Sequence, residues 1–520
     1  MQRPRPWRDH FPAGSGFDPA ELTARGSLPA AWAQGWSAEP GRPVLYDAGA
    51  GTGARWVGAG ELEARTRAAA AGLLGLGLEP GDRVLWCTGS STAAVVANLG
   101  ALRAGLVVVP ANTLYTEREL RHIAGDVRPA AAVVDDAVKA RWLTAGPDAS
   151  PLPVLAPEEL QVAAGGADLV LDVVDPDAHA LVAYTSGTTG APKGAVLSHA
   201  NVLANSESVA RTWRWGPEDR LVHALPIFHG HGLCVALYTT LLAGASAVLL
   251  PSFDPGVVLD AAAEHEATLF FGVPTMFHRL AASGRAGELA RLRLVVSGSA
   301  PLPAGLHRQL AADGTVVLER YGMTETLMTL SNPYEGERRA GTVGFPFPGV
   351  EAWVGEGADA GAGAAAGAGA EGAGEILVQG PTVFGGYWER PAATAERFDA
   401  EGRLRTGDLG SVDADGYVTI RGRLTELVIS GGYNVYPAEV EDVLLGHPAV
   451  AEVAVTGTPS EEWGEVVTAW VVPDGRPPTL DELVVWATGR LASYKRPRLL
   501  HVVEALPRNA MGKVKRAALG

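Results

Sequence analysis

The stretch Tyr184-Thr-Ser-Gly-Thr-Thr-Gly-Ala-Pro-Lys-Gly194 gathers side chains able to hold phosphate. Thr185, Ser186, Thr188 and Thr189 supply hydroxyls, and Lys193 supplies a mobile positive charge. Gly187 and Gly190 admit backbone conformations closed to other residues and let a ligand approach the chain. Consecutive N–H groups in such a loop form a concavity suited to phosphate oxygens. An apolar run, Ala180 to Ala183, leads in as a buried strand. Most Gly/Ser/Thr runs are plain surface loops, but the preceding strand and the closing lysine argue for a grip on polyphosphate. A P-loop would need Gly-Lys-Ser/Thr with the lysine opening a helix. Here Gly194 follows Lys193, and Pro192 pushes Ala191 away from helix.

Other segments carry chemistry too. Val222–Gly232 reads VHALPIFHGHG, with His223, His229 and His231 close together. A closed zinc site needs four ligands, usually from paired motifs; Cys234 adds one, and no second pair is evident. Core packing is the other reading, and for Cys234 and Cys87 it is preferred. Arg293 opens RLVVSGSAPLP, Glu319 opens ERYGMTET, and Thr406-Gly-Asp408, Gly422-Arg423, Ser430-Gly-Gly-Tyr433 and Pro507-Arg-Asn-Ala-Met-Gly-Lys513-Val-Lys515 follow in order.

This ordered set resembles the adenylate-forming superfamily of acyl-CoA synthetases, adenylation domains and luciferases along nearly the whole chain. The resemblance is strongest to malonyl-CoA synthetases, through the His-x-His-Gly pattern after Leu-Pro. It implies that ATP and an acid form an acyl-adenylate with release of pyrophosphate, after which coenzyme A displaces AMP. Thr185 to Gly190 and Lys193 would then hold ATP, with Ser299, Ala300, Glu319, Tyr321, Gly322, Thr324, Asp408 and Arg423. Tyr321 would stack on adenine, Asp408 would bind the ribose hydroxyls, and Glu325 would hold Mg²⁺, a cation that favours carboxylate and phosphate oxygens. Lys513, Thr324 and Glu325 are the catalytic candidates, Lys495 and Lys515 read as solvent-facing charges, and Gly431, Gly432 and Tyr433 would border the CoA channel. His229, Arg293, Gly298 and Met323 would line the acyl pocket, with His231 in support; Gly230 leaves room beside a substituted C2 carbon. An Arg entering a buried strand needs a partner. The second carboxylate of malonate offers one to Arg293 through a bidentate contact, and a structural salt bridge at the strand start is the alternative. The family's hinge carries Lys or Asp before the position of Glu426; this chain has Thr425. Rival readings are a ligase for another short or aromatic acid, an adenylation domain loading a carrier protein, an oxidising luciferase-type enzyme, and a nucleotide-binding or phosphotransfer module.

The elements that must position these residues follow an α/β rhythm. Strand patterns at Val44–Tyr46, Arg83–Cys87 and Leu106–Pro110 alternate with helical patterns at Glu61–Leu76 and Thr92–Ala104. That alternation predicts parallel or mixed sheets covered by helices. Residues 1–40 read as a loosely held leader, and the Gly/Ala-rich stretch Gly355–Gly374 as a surface insertion. Gly232–Ser252 is long and uncharged enough to suggest a membrane span, but its internal Thr, Gly and Ser favour helix, turn and strand. A large N-terminal domain, residues 1–422, and a small mobile α+β domain, residues 423–520, are expected. The chain of 520 residues carries a formal net charge of −16, which argues against nucleic-acid or anionic-membrane partners. Two cysteines fit a reducing cytoplasm. Coenzyme A, ATP and a small carboxylic acid, with a dicarboxylate favoured, are the expected partners; a homo-oligomer is compatible with the composition.

Overall fold

A computed structural model describes the chain apart from residues 13, 16, 145–151, 163–167, 186–191, 356–372, 431–432, 461–462, 510–512 and 520. Short runs of Val, Ala, Leu and Phe, such as Val107–Pro110, Ala131–Val134 and Leu269–Gly272, are buried throughout. Such unbroken apolar strands belong in parallel sheets covered on both faces. Among the described residues, two large sheets result. One runs from Gly386–Tyr387 through Gly194–Ser198, His179–Tyr184, Val107–Pro110, Arg83–Cys87 and Ala131–Val134 to Val154–Leu155. The other starts with Phe345–Pro346, Leu327–Ser331 and Leu318–Met323. It continues through Leu294–Ser297, Leu269–Gly272, Arg220–His223 and Ser246–Leu249 to Pro43–Asp47 and Trp56–Gly58.

Helices Ala59–Gly75 and Thr92–Arg103 are packed close together. A Cβ added at Gly100 would run into Ala69 and the Thr66 carbonyl, so only glycine lets these helices approach. Arg103, 1% exposed, is neutralised by Asp172 at 2.8 Å and Glu63 at 3.0 Å. An antiparallel sheet of Glu351–Val354, Gly374–Gln379, Leu404–Val412 and Val418–Arg423 completes the large N-terminal domain. After the single turn Leu424–Glu426, a second sheet begins at Val428–Ser430. Its long hairpin, Val450–Ser460 with Gly464–Pro473, packs helices Pro437–Leu445 and Leu480–Ala487 over a separate core that includes Val440, Val455, Val467 and Leu483. The architecture is thus mixed α/β with a smaller C-terminal domain.

Two expectations need adjustment. The leader is not loose. Gln2 pairs with Val354 through N–H···O bonds of 2.8 and 2.9 Å, and the Arg5 N–H reaches the Gly416 carbonyl at 3.0 Å. Trp7 and Leu22 are buried, and His10 stacks on Phe345; charge and proline along the segment masked these anchors. Lys495 is not solvent-facing: it is 7% exposed and pairs with Glu439 at 2.7 Å. The uncharged stretch after Gly232 does become helix, turn and strand, with Gly244 at φ +72° ahead of Ser246–Leu249. Among the described residues no helix is long and apolar enough to cross a membrane. The Gly/Ala-rich insertion falls almost wholly outside the described residues.

Candidate active site

Strands Arg220–His223, Leu269–Gly272, Leu294–Ser297 and Leu318–Met323 run parallel, so their carboxyl ends open along one edge. Ligands of open α/β sheets lie at that edge. Beyond His223 the chain turns at Pro226 and winds into a π-type helix, His231–Tyr238, a geometry frequent at functional sites. The entry is tight: the His229 N–H donates to the Pro226 carbonyl at 3.4 Å. A Cβ on Gly232 would strike the same carbonyl. The His231 N–H in turn donates to His229 Nδ1 at 3.3 Å. The His231 ring stacks on Phe271, and its Nδ1 lies 3.4 Å from Ser299 Oγ. Ser299 occupies the left-handed region at φ +70°, which is uncommon for a serine. Burial holds His229 at about 3 and His223 at about 4, and pushes His231 well below its ordinary range; the charge of Arg320 lowers both His229 and His231 further. All three are therefore neutral at physiological pH.

Strand alternation sorts Glu319, Arg320 and Tyr321 onto opposite faces. On one face Glu319 accepts N–H bonds from Leu302 at 3.2 Å and Gly341 at 3.0 Å, while burial raises its carboxyl to about 7. On that face too, the Tyr321 hydroxyl donates to Asp408 at 2.5 Å, and Asp408 pairs with Arg423 at 2.7 Å. These three are the expected adenosine contacts, already linked to one another. On the other face lies Arg320, which the sequence reading did not single out. It is 5% exposed and packs so closely on Gly298 that any Cβ there would overlap the guanidinium. Its Nε and Nη2 have no partner among the described residues. Burial lowers it to about 9, still charged at neutral pH. An unpaired buried cation between Gly298 and two neutral histidines is a costly arrangement that an anion would relieve.

Arg293 does not serve the acyl pocket. Its Nε and Nη2 pair with Asp219 at 2.6 and 2.5 Å, and it donates to the carbonyls of Trp213 and Arg214 at 3.0 and 3.1 Å. It precedes Leu294–Ser297 at the amino end of the strand, whereas the candidate pocket is at the carboxyl end, about 13 Å away at the usual rise per residue. Of the two partners weighed for Arg293, the structure shows the structural salt bridge at the strand start, made with Asp219. Met323 ends its strand half-buried, with Gly322 tight against the Leu327 carbonyl, and Ala300 is exposed beyond Ser299.

Glu325 follows Thr324 in the turn after this strand and is 5% exposed. Tyr387, also not foreseen, donates its hydroxyl to Glu325 Oε1 at 2.6 Å. The Lys193 Nζ lies 5.4 Å from the centre of the Tyr387 ring, within cation–π range. Tyr387 reaches both because Gly386–Tyr387 pairs with Gly194–Ser198 directly after the phosphate loop. Thr185 closes that loop by donating its N–H to the Lys193 carbonyl at 2.9 Å. Ser186, Gly187, Thr188, Thr189 and Gly190 lie outside the described residues. No cluster of three metal-binding side chains occurs among the described residues. A single carboxylate oriented by Tyr387, whose ring also meets Lys193, fits Mg²⁺, which takes most of its ligands from substrate phosphates and water.

Lys513, the expected catalytic lysine, lies at the end of the stretch matched by the C-terminal domain. Its N–H donates to Asn509 Oδ1 at 3.0 Å and its carbonyl accepts the Asn509 N–H at 2.8 Å, which makes a tight loop. The residue is exposed to solvent. Desolvation, with the charges of Arg423 and Arg320, lowers its pKa from the ordinary lysine range, and Asp408 and Glu426 oppose that shift. The lysine is thus within electrostatic range of Arg423, Asp408, Arg320 and His229. Tyr433, exposed, stacks on Tyr494 at 4.5 Å; Gly431 and Gly432 lie outside the described residues.

Comparison with known proteins agrees with this geometry. The AMP-binding enzyme family matches residues 32–388, and the AMP-binding enzyme C-terminal domain matches residues 439–513. A malonate–CoA ligase of Arabidopsis thaliana is 39% identical over 376 residues, covering 66% of this chain and 60% of that protein. A feruloyl-CoA synthase of an Amycolatopsis species is 37% identical over 425 residues, 79% of this chain and 83% of that one. The crystal structure of ATP-bound MatB from Rhodopseudomonas palustris superposes with a TM-score of 0.85 at 39% identity, covering 95% of this chain and 98% of that one. The chain belongs to the AMP-binding enzyme family and is an acid–CoA ligase that works with ATP, Mg²⁺ and coenzyme A.

Proposed function

We propose that the acid is a small dicarboxylate, with malonate the best single candidate and methylmalonate next. The observation that carries this reading is Arg320, a buried guanidinium with two unpartnered nitrogens beside neutral His229 and His231. A monocarboxylate has no second charge to satisfy it; malonate places its distal carboxylate within reach while its other end meets the nucleotide. The relative named for malonate supports the reading, and a Cβ added at Gly230 would meet only Leu327, at an ordinary contact distance of 3.7 Å, so the position leaves room for a C2 methyl group. In this scheme residues 1–422 hold ATP and acid, and residues 423–520 bring Lys513 to the reacting oxygens. The carboxylate attacks the α-phosphorus of ATP, an acyl–phosphate bond forms, and pyrophosphate leaves. Lys513 and the 185–194 loop neutralise the negative charge that concentrates there, an effect worth about 3–4 kcal/mol for each preorganised donor. Bound Mg²⁺, held by Glu325 and oriented through Tyr387, would supply further charge neutralisation at the phosphates. Rotation about Thr425 would then withdraw the lysine and admit the CoA thiol past Tyr433, which expels AMP and leaves the acyl thioester. Both cysteines are buried and unpaired, in keeping with a reducing compartment.

The test is acid-dependent release of AMP and pyrophosphate with CoA, across malonate, methylmalonate, acetate, propionate, octanoate, benzoate and ferulate. A preference for the diacids is expected. Preference for ferulate or a monoacid would retain the ligase and discard the dicarboxylate pocket.

A further inference from the structure

The loop that presents Lys513 is anchored on one side by an arginine with no catalytic contact of its own. Arg516, three residues on, opens the short helix Arg516–Ala518 and spreads its guanidinium between two carboxylates. Its Nη2 donates to both oxygens of Glu441 at 2.8 and 2.9 Å, and its Nη1 donates to Glu426 at 2.9 Å. Glu441 belongs to helix Pro437–Leu445 and also accepts the Val455 N–H at 2.7 Å, so its position is fixed from a second element. Glu426 closes the turn Leu424–Glu426, directly after Arg423, whose guanidinium pairs with Asp408 of the large domain. The three side chains are 18–24% exposed, sheltered enough for the ion pairs to be held in one geometry.

We propose that Arg516 is a positioning residue that ties the Lys513 loop to the turn Leu424–Glu426, which contains Thr425. The lysine's place in the cleft is thereby set by the same turn whose Arg423 grips Asp408. The inference rests on the reading of Lys513 as the adenylation lysine. It also accounts for the uncharged hinge: the charge sits one residue on, at Glu426, where Arg516 engages it. A carboxylate pair of this fork geometry suits arginine and is only half met by lysine. The consequence is specific to one half of the reaction, because Lys513 is needed for adenylation and withdrawn for thiol attack.

The experiment measures acid-dependent ATP–pyrophosphate exchange and, separately, thioester formation from CoA and a synthetic acyl-adenylate, using the full chain and the best acid of the panel. Arg516→Ala is expected to lower exchange about 100-fold, the scale of a loop displaced by an ångström. Its thioester step should stay within about threefold of the parent, since that step does not use the lysine. Arg516→Lys should fall between the two, and Glu426→Gln should share the exchange defect in milder form. Equal losses in both half-reactions would assign Arg516 to general folding and overturn the proposal, as would unchanged exchange in Arg516→Ala. Unchanged exchange in Lys513→Ala would overturn the reading of the lysine and this inference with it.

Discussion

Replacing Arg320 with methionine separates a substrate-binding role from a structural one. The side chains are similar in length, so the change removes the charge while largely filling its space. In the free protein the guanidinium is 5% exposed and its Nε and Nη2 have no partner among the described residues, so its loss relieves desolvation without breaking an ion pair. The melting temperature of the ligand-free variant should hold level or rise. With a dicarboxylate bound, the same change strands a buried carboxylate. Truncating one partner of such a pair costs about 2–5 kcal/mol, which corresponds to about 30- to 5,000-fold in kcat/KM. Propionate lacks the second carboxylate and should be turned over as well as before or better. The assay is steady-state AMP release for malonate and propionate, side by side with thermal unfolding of the free protein. Equal losses for both acids, or a melting temperature several degrees lower, would refute the reasoning and return Arg320 to the core.

Arg293→Ala should give the opposite pattern: loss of the pair to the 7%-exposed side chain of Asp219 leaves that carboxylate uncompensated, so stability falls by about 3–5 kcal/mol and all acids suffer alike, as unfolding and the acid panel would show. Lys513→Ala should reduce pyrophosphate exchange about 100- to 1,000-fold while ATP still binds by calorimetry. Because the lysine's pKa is depressed, exchange should decline with rising pH earlier than an ordinary lysine predicts, and Lys513→Arg should move that alkaline limb upward. Tyr387→Phe keeps the ring under Lys193 but frees Glu325; a hydrogen bond to a charged group contributes about 1.5–3 kcal/mol, so affinity for Mg²⁺-ATP without acid should weaken about tenfold or more. His223, 2% exposed and held at about 4, is neutral in the fold but takes up a proton near 6.5 when unfolded. Its contribution is present above pH 6.5 and lost as pH falls towards 4, about 3 kcal/mol in all, and His223→Gln should flatten unfolding free energy over that window.

Local signals carried the architecture further than the acid pocket. Apolar runs of strand length between helical stretches announced buried parallel sheets, and the ordered motifs named Tyr321, Asp408 and Arg423, which the fold brings into contact. Arg293 and Arg320 show where the reading stopped. Both were arginines in or beside buried strands that needed partners, and only three-dimensional packing reveals that Asp219 is committed to the first. Strand alternation held an overlooked clue: if Tyr321 faces the nucleotide, Arg320 beside it must face the other way. Tyr387 gave no comparable signal, since its partners, Glu325 and Lys193, lie 62 and 194 positions away and meet it only through pairing of Gly386–Tyr387 with Gly194–Ser198. The leader was misjudged for a related reason. Its prolines and charges suit a solvated segment, while its few aromatic anchors find their sockets in strands far along the chain.

Those distant sockets bear on how the protein matures. Gln2 and Arg5 bond to Val354 and Gly416, so during synthesis they wait for partners more than 350 and 400 positions later. At ribosomal speeds of about 5–20 residues per second, that interval is roughly 20–80 s. Throughout it the backbone groups of Gln2 and Arg5 lack the partners they hold in the fold. The segment around Gln2 and Arg5 therefore docks only after residue 416 has been made, and slowing translation ahead of that residue lengthens the period in which it stays undocked.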